Sequence, residues 1–102
     1  MPPINILPQQ LEEVQNLLRR FVPDREVWAF GSRVGGQAQP HSDLDLVILG
    51  EDPIGLDVWA DLREALAESE LPWKVDVVDW AVASENFRRI IEAHHVVVQK
   101  RA

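Results

Sequence analysis

The 102-residue chain contains no cysteine. Disulfides are therefore excluded, and so is any metal site built on thiolate ligands. No apolar run comes near the roughly 20 residues that a membrane span requires. The opening stretch, MPPINILPQQ, has neither a basic cluster nor a long apolar segment, so it does not read as a secretory signal. Positive charge is scarce as well. Ten Lys and Arg stand against 17 Asp and Glu, for a formal net charge of −7. A free-standing nucleic-acid binder needs a positive surface to displace counterions, so that class is disfavoured. No internal repeat or low-complexity tract is present. These absences leave the expectation of a cytoplasmic protein that uses no membrane.

The remaining composition, 46% hydrophobic and 26% charged, is that of an ordinary globular protein. At this length the expectation is one domain, residues 1–102, with one core and one site. Residues 1–8 carry three prolines and read as extended. From Pro8, the spacing of Leu11, Val14, Leu17, Leu18 and Phe21 predicts an amphipathic helix, which Pro23 stops. Glu26–Phe30 reads as a short strand ended by Gly31, after which Ser32 can cap a short helix or turn. GGQAQPHS is a polar loop. Asp43–Leu49 reads as a second strand, almost entirely apolar apart from its aspartates and suited to burial on both faces. Residues 56–70 predict a second long helix, Lys74–Asp79 a third strand, and Ser84 the cap of a last helix through Phe87, Ile90 and Ile91. The closing HVVVQ is either a short strand or the helix end, and its periodicity does not decide between them. The fold class is thus α/β (α+β), a small mixed sheet flanked by helices. Its first two strands can pair antiparallel, and the helix between the second and third permits a crossover.

Within this frame the aspartates stand out. A carboxylate in an apolar strand is costly unless something pairs with it. Residues i and i+2 of a strand share a face, so Asp43 and Asp45 can aim at one point, with Leu44 and Leu46 on the other side. Asp76 sits in an equivalent setting on the third strand. Three negative charges brought together repel, and a cation would remove the repulsion. Magnesium, which prefers oxygen ligands and keeps substrate phosphates in its shell, suits such a set. Gly31 allows close backbone approach to a ligand, Ser32 adds a hydroxyl, and Arg33 can reach a phosphate. Each aspartate alone could merely cap a turn, and Asp79, at a strand end, is read that way. Asp57 and Asp61 are read as surface residues of a helix.

Gly31-Ser32, ten residues, Asp43-Leu44-Asp45 and a later Asp76 resemble the signature of the nucleotidyltransferase superfamily that includes DNA polymerase β. More narrowly, the chain is similar over nearly its whole length to the minimal nucleotidyltransferases (MNT), many of which are antitoxins paired with all-helical HEPN toxins. The resemblance implies a polymerase β palm-like fold. It also implies that Asp43, Asp45 and Asp76 ligate two magnesium ions, with Asp76 helping to activate the attacking hydroxyl. Gly31, Ser32, Arg33 and Ser42 would hold a nucleotide, with ATP as nucleotidyl donor. The implied reaction is adenylylation of a hydroxyl on a partner HEPN toxin, in a hetero-oligomer, with release of pyrophosphate. Relatives often carry arginine where this chain has Gly35 and Gln39, so two phosphate-binding cations are absent and His41 would contribute only if protonated.

Two other readings remain at this point. The chain could be a catalytically weak binding module that neutralises its partner by occlusion, or it could modify a small-molecule hydroxyl. The second usually requires an added substrate domain, for which 102 residues leave no room. Arg89 and His94 match the R-x4-H spacing of HEPN ribonucleases, but that motif belongs to an all-helical fold and this chain has three strand-like runs. Trp59, Trp73 and Trp80 are read as core anchors, the last two also as possible partner contacts.

Overall fold

In the computed structural model, which describes residues 4–36 and 38–101, four strands form one mixed sheet in the order β3-β2-β1-β4. The elements run α1 (Pro8–Phe21), β1 (Val27–Phe30), α2 (Ser32–Gly35), β2 (Leu44–Ile48), α3 (Leu56–Glu68), β3 (Val75–Asp79), a 3₁₀ turn (Trp80–Val82), α4 (Glu85–Ala93) and β4 (Val96–Gln99). The extended reading of the first three residues, and Gln37 of the polar loop, lie outside the described residues.

Helix α1 starts at Pro8, where a missing N–H costs nothing, and Gln10 reaches back to accept the N–H of Leu7 at 2.8 Å. Its apolar stripe places Val14 and Leu18 in the core with Leu11, Leu17 and Phe21 packed against it. Helix α3 contributes Leu62 and Leu66 to the same core and contacts α1. Both therefore cover one face of the sheet, the face that carries Val27, Ala29, Leu44, Leu46 and Ile48. The other face carries the alternate residues Trp28, Phe30, Asp45, Val47 and Asp76. Over its β1 side lies α4, capped as expected by Ser84, whose Oγ accepts the Phe87 N–H at 3.1 Å. Phe87 meets Phe30 edge-on with ring centroids 5.7 Å apart, and His95 stacks on Trp28 at 3.7 Å.

Strand β1 pairs antiparallel with β2 and, on its other side, with β4. HVVVQ is thus a strand: β1 has an open edge, and β-branched Val96–Val98 fill it. Gln99 then donates through Nε2 to the carbonyls of Val22 and Arg25, both at 2.9 Å, tying β4 to the connection between α1 and β1. Strands β2 and β3 are parallel, with α3 as their crossover. The expected burial of β2 on both faces is corrected: Leu44, Leu46, Val47 and Ile48 are fully buried, but Asp45 is only half-buried because no helix covers it.

Leu18 of α1 has no solvent exposure and belongs to the core that α1 shares with α3 and the sheet. Leu18→Ala should cost about 2–5 kcal/mol in urea unfolding, with an unchanged m value.

Candidate functional site

The parallel register places Asp45 opposite Asp76 on neighbouring strands. Strands lie about 4.8 Å apart, so the two side chains leave the same face side by side. On the other flank of Asp45, across the antiparallel pair, is Phe30. One neighbour removes water and the other adds like charge. Burial therefore pushes the Asp45 carboxyl above its ordinary value, and the charges of Asp76 and Asp43 push it the same way. Asp43 lies one residue before β2 rather than within it, at the end of the loop that follows α2. The structure thus brings the three expected aspartates to one end of the β2–β3 pair.

Gly31 completes the arrangement. It ends β1 with φ +81° and ψ −158°, a conformation open essentially to glycine alone. A Cβ there would collide with the Asp45 carboxylate, whose Cγ would lie 3.2 Å away. The missing side chain is what lets the chain turn over that carboxylate. Gly31, not Ser32, is the N-cap of α2; Ser32 is its first helical residue.

Arg33 is not a free cation facing a phosphate. It is 6% exposed, and its guanidinium donates from Nε and Nη2 to Ser42 O (3.0 and 2.8 Å), from Nη2 to Pro40 O (3.3 Å) and from Nη1 to Asn5 O (2.9 Å). Its Cζ lies over the Trp73 ring, 4.7 Å from the ring centre. Trp73 is accordingly buried in the core and is not available as a partner contact. The backbone carbonyl of Ser42 is taken by Arg33, and its Oγ accepts the N–H of Gln39 at 2.8 Å, closing the loop before Asp43. Periodicity carried no signal for this role of Arg33, because its partners are backbone carbonyls.

Other residues sort as their chemistry suggests. Asp79 is a turn residue: its carboxylate accepts Ile54 N at 2.9 Å and Ala81 N at 3.2 Å. Asp57 and Asp61 are exposed on α3. Arg89 pairs with Glu85 at 2.8 Å on the surface of α4, and His94 is the C-cap of that helix, so the R-x4-H pair forms no site. Gly35, at the end of α2, and Gln39 and His41, on the loop after it, are all exposed. One neighbour was not anticipated. Lys74 places its Nζ 3.9 Å from Asp76 Oδ1, with both side chains open to solvent (73% and 47% exposed). An ion pair that open contributes little stability.

The donor set consists of carboxylate oxygens, the chemistry a hard divalent cation requires. Among the described residues no three acidic or histidine side chains are drawn together closely enough to hold a metal ion by themselves. A site that takes one or two carboxylates and leaves the remaining positions to water and substrate is open by nature. The unrelieved charge on Asp45 is the second sign of fit, since a dication would remove it.

Two consequences can be measured. With its pKa raised on folding, Asp45 is neutral in both states at low pH and imposes no cost there. Stability falls as pH rises from the unfolded value to the folded one, and the full cost persists above. Asp45→Asn in metal-free buffer should therefore raise the unfolding midpoint at pH 7. That gain should vanish near pH 3, below the ordinary carboxylate value of about 3.9. Gly31→Ala should lower stability by about 1–3 kcal/mol, because it combines a strained φ with the collision at Asp45.

Residues 12–102 match the family "Polymerase beta, Nucleotidyltransferase". A relative from Haemophilus influenzae, named "Probable protein adenylyltransferase MntA", is 48% identical over 98 residues, covering 96% of this chain and 86% of that protein. Among solved structures, a toxin–antitoxin complex with AMP-PNP contains a chain 27% identical, at a TM-score of 0.72, over 90% of this chain and 73% of that one. A mutant MntA–HpeT toxin–antitoxin complex gives the same TM-score at 25% identity, over 86% and 71%. The family match over most of the chain and the 48% identical relative show that the chain belongs to the polymerase β-type nucleotidyltransferase family.

Proposed function

We propose that this chain is a magnesium-dependent adenylyltransferase of the antitoxin type, which moves the adenylyl group of ATP to a hydroxyl on a HEPN-type toxin partner. The observation that carries the reading is the register of Asp45 with Asp76, closed over by side-chain-free Gly31. The 48% identical relative named as a protein adenylyltransferase supports the reaction, and the similar complex with AMP-PNP supports the nucleotide. The acceptor comes from a partner in a hetero-oligomer, with residues 1–102 acting as one catalytic unit in the cytoplasm, where ATP is supplied.

Asp43, Asp45 and Asp76 are the residues that would hold magnesium ions. When bound, those ions supply positive charge at the phosphates of the donor. Asp76, the more open carboxylate, accepts the proton of the acceptor hydroxyl. The hydroxyl oxygen bonds to the α-phosphorus of ATP, the bond from that phosphorus to the bridging oxygen breaks, and pyrophosphate leaves. The Gly31-Ser32 turn offers the nucleotide a backbone surface at contact distance from Asp45, with the Ser32 hydroxyl and Ser42 beside it. Positioning and charge neutralisation provide most of the acceleration in such a transfer.

The test is transfer of label from α-labelled ATP to a HEPN toxin, with magnesium. Wild type should label the toxin, and Asp43→Asn/Asp45→Asn should lose at least about 10²-fold in rate. Equal labelling by the double variant defeats the mechanism. If wild type gives no labelling and the double variant still neutralises the toxin in cells, neutralisation is by occlusion, without catalysis.

A further inference from the structure

Arg33 is the cation nearest in sequence to the Gly-Ser turn, yet every donor group of its guanidinium ends on a backbone carbonyl. Those carbonyls are not scattered. Ser42 is the residue before Asp43 and stands two positions before β2, while Trp73, on the face of the guanidinium, stands two positions before β3. At the same level, Leu44 N donates to Lys74 O at 2.9 Å, the first bond joining the two strands. A third strap comes from the N-terminal segment. Asn5 O accepts from Nη1, and Asn5 N donates to Arg33 O at 2.7 Å. The buried guanidinium therefore joins the starts of both aspartate-bearing strands.

We infer that Arg33 is a positioning residue: its buried guanidinium fixes the relative placement of the starts of β2 and β3, and thereby the geometry in which Asp43, Asp45 and Asp76 take a divalent cation. The inference rests on the metal-site reading proposed above. The chemistry explains the choice of side chain. A planar guanidinium can bridge three carbonyls in its plane and stack on an indole with its face. A lysine ammonium has three donors and no plane, so it cannot do both. Asp43 is the aspartate most exposed to a fault here, since it lies outside the sheet and is held by the loop that Arg33 ties down. Residues that orient metal ligands without touching the metal commonly change affinity or activity by about 10–100-fold when replaced.

The probe is Mn²⁺ alone, titrated into the 102-residue chain and followed by electron paramagnetic resonance well below the unfolding midpoint. Wild type should bind, and Asp45→Asn should not. Arg33→Lys, which keeps the charge, should remain folded and lose about 10–100-fold in Mn²⁺ affinity. In toxin labelling its kcat should fall in parallel while the KM for ATP stays within about threefold. Trp73→Leu should weaken Mn²⁺ in the same direction, and Trp73→Phe, which restores an aromatic face, should recover it. Folded Arg33→Lys with wild-type Mn²⁺ affinity overturns the inference. So does a raised KM for ATP at unchanged kcat, the signature of a direct phosphate contact. If Arg33→Lys does not fold, the tryptophan pair decides: equal Mn²⁺ affinity in Trp73→Leu and wild type overturns the inference. Wild type binding no better than Asp45→Asn would instead refute the metal site itself.

Discussion

Two carboxylates held side by side on adjacent parallel strands are the constraint to which the rest of this fold answers. The Asp45–Asp76 register forces like charges together at the starts of β2 and the edge strand β3. What holds the strands together lies on their opposite face. Leu44, Leu46 and Ile48 are completely buried there, and Val75 and Val77 pack against the same core. Burying side chains of that size contributes about 1.5–3 kcal/mol each, enough to outweigh a partly solvated repulsion. Parallel pairing also requires a crossover, and α3 meets that need while bringing Leu62 and Leu66 onto the same face. The segment that makes the parallel register possible thus also stabilises it.

The two faces of the sheet are consequently unequal. The face under α1 and α3 is closed. The other is closed over β1, where Trp28 and Phe30 meet His95 and Phe87, and over Val47 of β2, but open at Asp45 and Asp76. Phe30 forms the boundary, apolar toward α4 and adjacent to Asp45 on the side of the site. A carboxylate at such a boundary is neither fully solvated nor paired, which is the origin of its raised pKa. Gly31 adds a further cost, a positive φ where a residue with a side chain could not sit. Both features reduce stability and both serve ligand access, the usual pattern where local rules are broken at a site.

The long elements were legible in the sequence because their signals are local. Periodicity found α1 and α3, Ser84 announced α4, and three β-branched or aromatic runs gave three strands to within a residue or two. The aspartates were legible because carboxylates in apolar strands are rare enough to require a cause. Elements that depend on the rest of the fold were not. HVVVQ could not be assigned until the open edge of β1 was known to need a partner. The share of β2 left uncovered depended on where α4 docks. Arg33 looked like a phosphate ligand because it follows a Gly-Ser turn. Its carbonyl partners lie 7 to 28 residues away in sequence, and no pattern of side chains encodes them.

With Arg33 committed to the framework and Gly35 and Gln39 uncharged, this stretch of the chain offers a triphosphate little fixed positive charge. His41 is exposed, and Lys74, the nearest placed cation, already faces Asp76. The surrounding protein has a net charge of −7, so long-range attraction does not compensate. On the proposed reading, an anionic donor then approaches an acidic site that gains positive charge only by loading divalent cations. The aspartates must bind metal before, or together with, the nucleotide. The protein's part is to hold like-charged carboxylates on neighbouring strand starts, against their repulsion. A site of that kind depends on the rigidity of its strand starts more than on any phosphate contact, and in this fold that rigidity comes from a buried guanidinium.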